Sequence, residues 1–265
     1  MSGLPVAIRR LLPGWRANGT EAFQLEGRRP GASRVVVCVG DSITQGDVST
    51  DWVGVLDARL GSSGFQFVNA GVNGNLAYDI AERLDEVVAC RPDVVTLLVG
   101  TNDVNARFDA AWEARYRKDS ALPVAPDLAF YTANLDRIFA RVRAGTTARV
   151  VALDVPMLGE DLDSRMNGLV AEYNEALRRV AERHAVPVLP LNARLRDALP
   201  TGHRPPPYAG KTGPVLVAAL RARLLGQGWD AASRAAGLAL LTDHIHLNDT
   251  AGAIVAELVE RAVVA

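Results

Sequence analysis

From residue 34 onward, short apolar runs alternate with segments of helical periodicity, and this alternation most restricts what the chain can fold into. The runs Arg34 to Val39, Phe65 to Asn69, Asp93 to Val99, Arg149 to Val155 and Pro187 to Leu189 are mostly apolar without strict two-residue alternation. That is the pattern of strands covered on both faces, as in a parallel sheet. Between them Trp52, Val53, Leu56 and Leu60 share one helical face, as do Leu76, Ile80, Leu84, Val87 and Val88. Further helices are predicted from about Asp127 to a stop at Gly145, from Arg165 to His184, and from near Asp249 or Thr250. The predicted class is α/β: a three-layer α/β/α sandwich around a parallel sheet of about five strands.

A chain of 265 residues with this pattern commonly forms one domain. We expect an amino-terminal arm over 1–31, extended or a small edge element, and a domain over 32–265 with insertions near 105–125 and 194–241. Long connections of that kind are usually functional or mobile. Lysine and arginine (29) nearly balance aspartate and glutamate (30), so long-range electrostatics give no reason to expect a nucleic-acid or anionic-membrane partner. No stretch approaches the length of a membrane span. Arg9 and Arg10 are followed by Leu11, Leu12 and Pro13, and no signal-peptide core forms before Gly14, Trp15 and Arg16. Two cysteines, Cys38 and Cys90, are too few for a disulfide framework and fit a reducing compartment, so a cytoplasmic protein is expected.

Ligands of an open parallel sheet bind at the carboxyl ends of its strands, which directs attention to three loops. They read Gly40-Asp41-Ser42-Ile43-Thr44, Asn69-Ala70-Gly71-Val72-Asn73-Gly74-Asn75 and Gly100-Thr101-Asn102-Asp103. A serine hydroxyl is a poor nucleophile unless a base adjoins it, usually an imidazole held in one tautomer by a carboxylate. Thr242-Asp243-His244-Ile245-His246 supplies both. The spacing from Asp243 to His246 lets one loop fold the carboxylate back onto Nδ1 and leaves Nε2 for the serine.

Gly-Asp-Ser-Ile after the first strand, the glycine of Asn-Ala-Gly-Val-Asn-Gly, Gly-Thr-Asn-Asp after the third strand and Asp-x-x-His near the end occur in that order. Together they resemble the four blocks of the SGNH (GDSL-like) hydrolase family. The resemblance covers roughly Val35 to Val259 and implies a flavodoxin-like sheet and a serine esterase without a cofactor. It implies Ser42 as nucleophile, His246 as base and Asp243 orienting that base. The oxyanion hole would be the backbone N–H groups of Ser42 and Gly74 with the side-chain amide of Asn102. The family often has leucine where Ile43 stands and a small residue where His244 stands. Gly-x-Ser-x-Gly, a dinucleotide fingerprint and a P-loop are all absent.

Taken alone, Ser42 would be read as a helix cap. Asp41 and Asp103 are expected to accept backbone N–H bonds. His184 is expected to meet the last carbonyls of its helix, and His203 to sit in a solvent-facing loop. No cluster has metal spacing, so no metal is expected. Trp112, Tyr116 and Phe130 are read as core, and Asn75 as a substrate contact. The expected activity is hydrolysis of a small acyl or acetyl carboxylic ester, a small-molecule substrate, through an acyl-enzyme. Its rivals are acyl transfer by the same triad and a non-catalytic carbohydrate or small-molecule binding domain.

Overall fold

The computed structural model describes residues 16–208 and 228–265. Its sheet has five strands: β1 (Arg34–Gly40), β2 (Phe65–Gly71), β3 (Val94–Leu98), β4 (Arg149–Leu153) and β5 (Val188–Leu189). They lie in the order β2-β1-β3-β4-β5, and every pair is parallel. The α/β sandwich expected from the alternation is the observed class.

Side chains of β1 explain why two layers of helix are needed. Val35, Val37 and Val39 pack on one side with the helices Leu84–Ala89, Leu128–Gly145 and Arg165–Arg183. Val36 and Cys38 pack on the other with Trp52–Leu60, Leu191–Asp197 and Asp249–Val264. A strand apolar from Val35 to Val39 therefore serves two separate cores. Among the described residues, no helix is long and apolar enough to cross a membrane.

Four segments carry detail beyond the sequence reading. Part of the amino-terminal arm is helical, Thr20–Glu26, and Gly19 makes one parallel bridge to Asn69, so the arm covers the outer edge of β2. The apolar face running from Leu76 to Val88 is two short helices, Ala77–Glu82 and Leu84–Ala89, because Arg83 leaves helical geometry between them. The first insertion is helical as well: Thr101–Phe108 is followed by Ala110–Asp119, whose first N–H groups are capped by the Asp109 carboxylate. In the second insertion, Leu191–Asp197 and Trp229–Ala235 are helices, and 209–227 lies outside the described residues.

Two histidines also depart from expectation. His184 caps its helix, but its imidazole Nε2 meets Asp136 Oδ1 at 2.9 Å rather than the terminal carbonyls, a charged acceptor being the stronger partner. His203 is not a solvent-facing loop residue, since its Nε2 lies 2.5 Å from the buried carboxylate of Glu160.

Candidate active site

The strand order reverses at β1: the chain runs outward to β2, then returns to place β3 on the other side. Loops leaving the carboxyl ends of β1 and β3 diverge there and open a crevice. All three glycine-bearing loops end around it.

Ser42 follows β1 directly and opens the four-residue helix Ser42–Gln45. Asp41 caps that helix, its Oδ1 accepting from Ile43 N–H at 2.9 Å, and Gly46 ends it in the left-handed region at φ 79°. The turn is pressed against the sheet. A Cβ at Gly40 would stand 2.2 Å from Thr44 Oγ1 and 2.6 Å from the Leu98 carbonyl, and one at Gly71 would stand 2.2 Å from Gln45 N. Only glycine permits either approach. Asn69 ties the turn to β2, donating from Nδ2 to the Thr44 carbonyl at 2.9 Å and accepting from Gly71 N–H at 2.9 Å.

His246 arrives from the other end of the chain on a tight loop closed by an antiparallel bridge between Leu241 and Leu247. Asp243 Oδ1 accepts the N–H groups of Ile245 (3.0 Å) and His246 (2.8 Å), while Oδ2 lies 2.7 Å from His246 Nδ1. One carboxylate therefore shapes the loop and orients the ring. Because that oxygen is an acceptor, Nδ1 carries the proton and Nε2 presents its lone pair to Ser42 Oγ, 2.8 Å away. His244 takes φ 76° in the bend, gives its carbonyl to Gly159 N–H and turns its ring onto Tyr208 (5.4 Å), away from the serine. Of the two histidines, the 243-to-246 spacing thus singles out the one beside Ser42.

All three side chains are buried, and charge follows from that. Burial opposes ionisation of His246, but the Asp243 charge and hydrogen bond, together with the Asp41 charge, raise its pKa above the ordinary value. Burial likewise works against the Asp243 carboxylate, and the imidazole and two backbone donors outweigh it and hold its pKa low. At Asp41 and Asp103 burial outweighs the backbone donors and pushes them up to about 6 and about 8. Asp103 accepts from Ala77 N–H at 3.2 Å, so both carboxylates take the backbone-binding places read from the sequence.

Gly74 stands at φ 80° with nothing within 4 Å of a Cβ added there, so its need for glycine comes from backbone conformation and not from crowding. Asn102 lies in the first turn of Thr101–Phe108, buried, with Nδ2 donating to the Asn75 carbonyl at 2.9 Å and 3.5 Å from Asp41 Oδ2. Asn75 borders the cleft, but its side-chain oxygen is taken by Arg83 Nε at 2.6 Å, leaving its carbonyl as the group that meets Asn102. Arg83 also donates to the carbonyls of Gly40 (3.1 Å) and Ala70 (2.8 Å), fastening two strand ends to the Asn75 loop.

Above Ser42 and His246 opens a cleft of about 540 Å³, walled by Val48, Asn75, Asn102, Trp112, Arg115 and Tyr116. Trp112, Tyr116 and Phe130 share one small apolar cluster, as the core reading has it, and Trp112 and Tyr116 also form this wall, whereas Phe130 packs on Tyr78 at 5.4 Å. Arg83 and the Tyr116 hydroxyl are the functional neighbours the sequence reading missed. An arginine interrupting an apolar helical face, and a tyrosine whose buried hydroxyl needs a partner, were the signals available for them.

Residues 38–253 match the model of the GDSL-like lipase/acylhydrolase family. A curated relative, an acetylxylan esterase from Geobacillus stearothermophilus, is 32% identical over 96 residues, which are 30% of this chain and 44% of that protein. The chain thus matches less than half the length of that relative. Among solved structures, a catalytic mutant of Axe2, an acetylxylan esterase from Geobacillus stearothermophilus, superposes with a TM-score of 0.63 at 18% identity, covering 88% of this chain and 95% of that one. The acetyl xylan esterase AlAXEase gives 0.59 at 20% identity, over 86% and 99%. LAE5, an α/β hydrolase enzyme from the metagenome of Lake Arreo, Spain, gives 0.60 at 22%, over 88% and 95%. These structural likenesses carry the fold.

Proposed function

The chain belongs to the GDSL-like lipase/acylhydrolase family, and from that premise we propose that it is a carboxylic ester hydrolase working through a Ser42–His246–Asp243 triad. The observation that carries the reading is the buried line of two hydrogen bonds, 2.7 Å from Asp243 to His246 and 2.8 Å from His246 to Ser42, at the floor of the cleft. A carboxylate, an imidazole and a hydroxyl in that order form a proton path from nucleophile to base.

Ser42 Oγ attacks the acyl carbon as His246 Nε2 takes its proton. The carbonyl oxygen becomes negative and is met by the N–H groups of Ser42 and Gly74 and by Asn102 Nδ2. Such preorganised donors act on charge present only in the tetrahedral state, and each contributes about 3 to 4 kcal/mol to lowering the barrier. The imidazolium, steadied by Asp243, returns its proton to the departing alkoxide. Water activated by the same base then attacks the Ser42 ester and releases the acid.

The substrate class we propose is a small acyl ester, above all an acetyl ester, of a polyhydroxylated alcohol such as a sugar. Support comes from the names of the relatives and from the cleft wall, where the Trp112 ring stands beside the polar groups of Arg115, Asp119 and Ser120. The test is turnover of 4-nitrophenyl esters from acetate to dodecanoate and of peracetylated xylose, with Ser42→Ala and His246→Ala beside the native enzyme. The reading expects the highest kcat/KM with acetate and loss of turnover in both variants. Equal turnover of dodecanoate would remove the small-acyl assignment, and full activity in Ser42→Ala would remove the triad.

A further inference from the structure

The helix Ala110–Asp119, part of the insertion after β3, sends one polar atom into the ester-cleaving machinery. The Tyr116 hydroxyl lies 2.6 Å from Asn102 Oδ1, and its ring is 5% exposed. The orientation of the Asn102 amide follows from its other neighbours. Asn75 O and Asp41 Oδ2, at 2.9 and 3.5 Å, are both acceptors, so the NH2 must face them and the oxygen must face Tyr116. The tyrosine therefore donates.

We infer that Tyr116 is a positioning residue for the oxyanion hole, its hydroxyl holding Asn102 Oδ1 so that Nδ2 stays on the side of Asn75 and Asp41 at the cleft floor. The inference rests on the reading of Asn102 as an oxyanion donor. An asparagine amide turned over would present Oδ1, a negative dipole, to an oxygen gaining negative charge. The terminal torsion of asparagine has a broad, roughly two-fold profile that opposes this only weakly. The hydrogen bond from Tyr116 adds, on the oxygen side, to the restraint that Asn75 O and Asp41 Oδ2 place on the NH2, and it acts where preorganisation counts, before the charge develops.

Tyr116 is itself held. Its ring stacks on Trp112, centroids 5.5 Å apart and planes 20° from parallel, and it packs with Leu76, Ala106 and Leu122. Thr101–Phe108 carries Asn102, and the next helix folds back to deliver Tyr116 to it, a sequence separation of 14. The insertion thus supplies both a wall of the cleft and the restraint on a donor at its floor.

The test is a double-mutant cycle on 4-nitrophenyl acetate hydrolysis. Tyr116→Phe keeps the ring and its stacking, so packing is preserved, and thermal melting verifies the fold. It is expected to lower kcat about tenfold with KM within about twofold of the native value, the pattern of a lost transition-state interaction. Asn102→Ala is expected to lower kcat by about 100- to 1000-fold. In that background Tyr116→Phe should cause no further loss. Tyr173→Phe, which removes a buried hydroxyl that has no hydrogen-bond partner, is the control and should keep native kcat. Native kcat in Tyr116→Phe, or an equal loss with and without Asn102, overturns the inference while Asn102 keeps its role. Native kcat in Asn102→Ala overturns the oxyanion reading itself and the inference with it.

Discussion

Glu160 Oε2 lies 2.5 Å from His203 Nε2, and the same carboxylate accepts the backbone N–H groups of Ala239, Leu240 and Leu241 at 2.7 to 3.1 Å. A fully buried charge with four donors around it is a fastening. What it fastens is the strand of chain that enters the Asp243–His246 loop, two residues before Asp243.

Glu160→Ala should therefore leave three backbone donors and an imidazole without their acceptor. We expect a loss of about 3 kcal/mol in unfolding free energy and a fall in kcat from a loosened base loop. Urea denaturation and ester turnover on the same preparation check both. Unchanged stability would mean that solvent replaces the carboxylate.

The proposed role of His246 as base requires its neutral ring, so the rate should fall as pH drops through the folded-state pKa of that ring. The Asp243 and Asp41 charges raise this pKa against the effect of burial, which places the acid limb above the ordinary histidine value of about 6.5. Asp243→Asn removes the larger of the two charges and leaves burial, which favours the neutral ring. The limb should then move to lower pH, while kcat falls by about 10,000-fold because the ring loses its tautomer. A pH–rate profile of both enzymes reads both shifts. A limb that stays in place in Asp243→Asn would mean that another group sets it.

At Gly74 the expected cost of a side chain is conformational, since an added Cβ meets nothing within 4 Å yet φ is 80°. Gly74→Ala should either hold the loop at a cost of about 1 to 2 kcal/mol or turn the N–H away. In either case kcat falls by about tenfold or more with KM nearly unchanged. A kcat equal to that of the native enzyme would remove the Gly74 N–H from the oxyanion hole.

The fold was legible because the strands are mostly apolar without strict alternation, which specifies helices on both faces; the close backbone approaches at Gly40 and Gly71 emerged only from the structure. Ser42, Asn102, Asp243 and His246 could be named because they sit in short blocks that resemble those of a known family, the first two just after strands that periodicity reveals and the last two just before the final helix. What stayed hidden depends on distant pairing. The partner of His203 is 43 residues away, and the hydroxyl facing Asn102 sits on an insertion whose aromatic residues look like core. Arg83 joins the ends of two strands to the Asn75 loop, which no local pattern announces.

The most direct measurement is labelling with a 4-nitrophenyl phosphonate followed by intact mass and peptide mapping. The account predicts one adduct per chain, on the peptide containing Ser42, with release of one equivalent of nitrophenol and parallel loss of esterase activity. Labelling should be absent in Ser42→Ala and slowed by orders of magnitude in His246→Ala. Loss of activity with the adduct on another residue, or full turnover by Ser42→Ala, would contradict it.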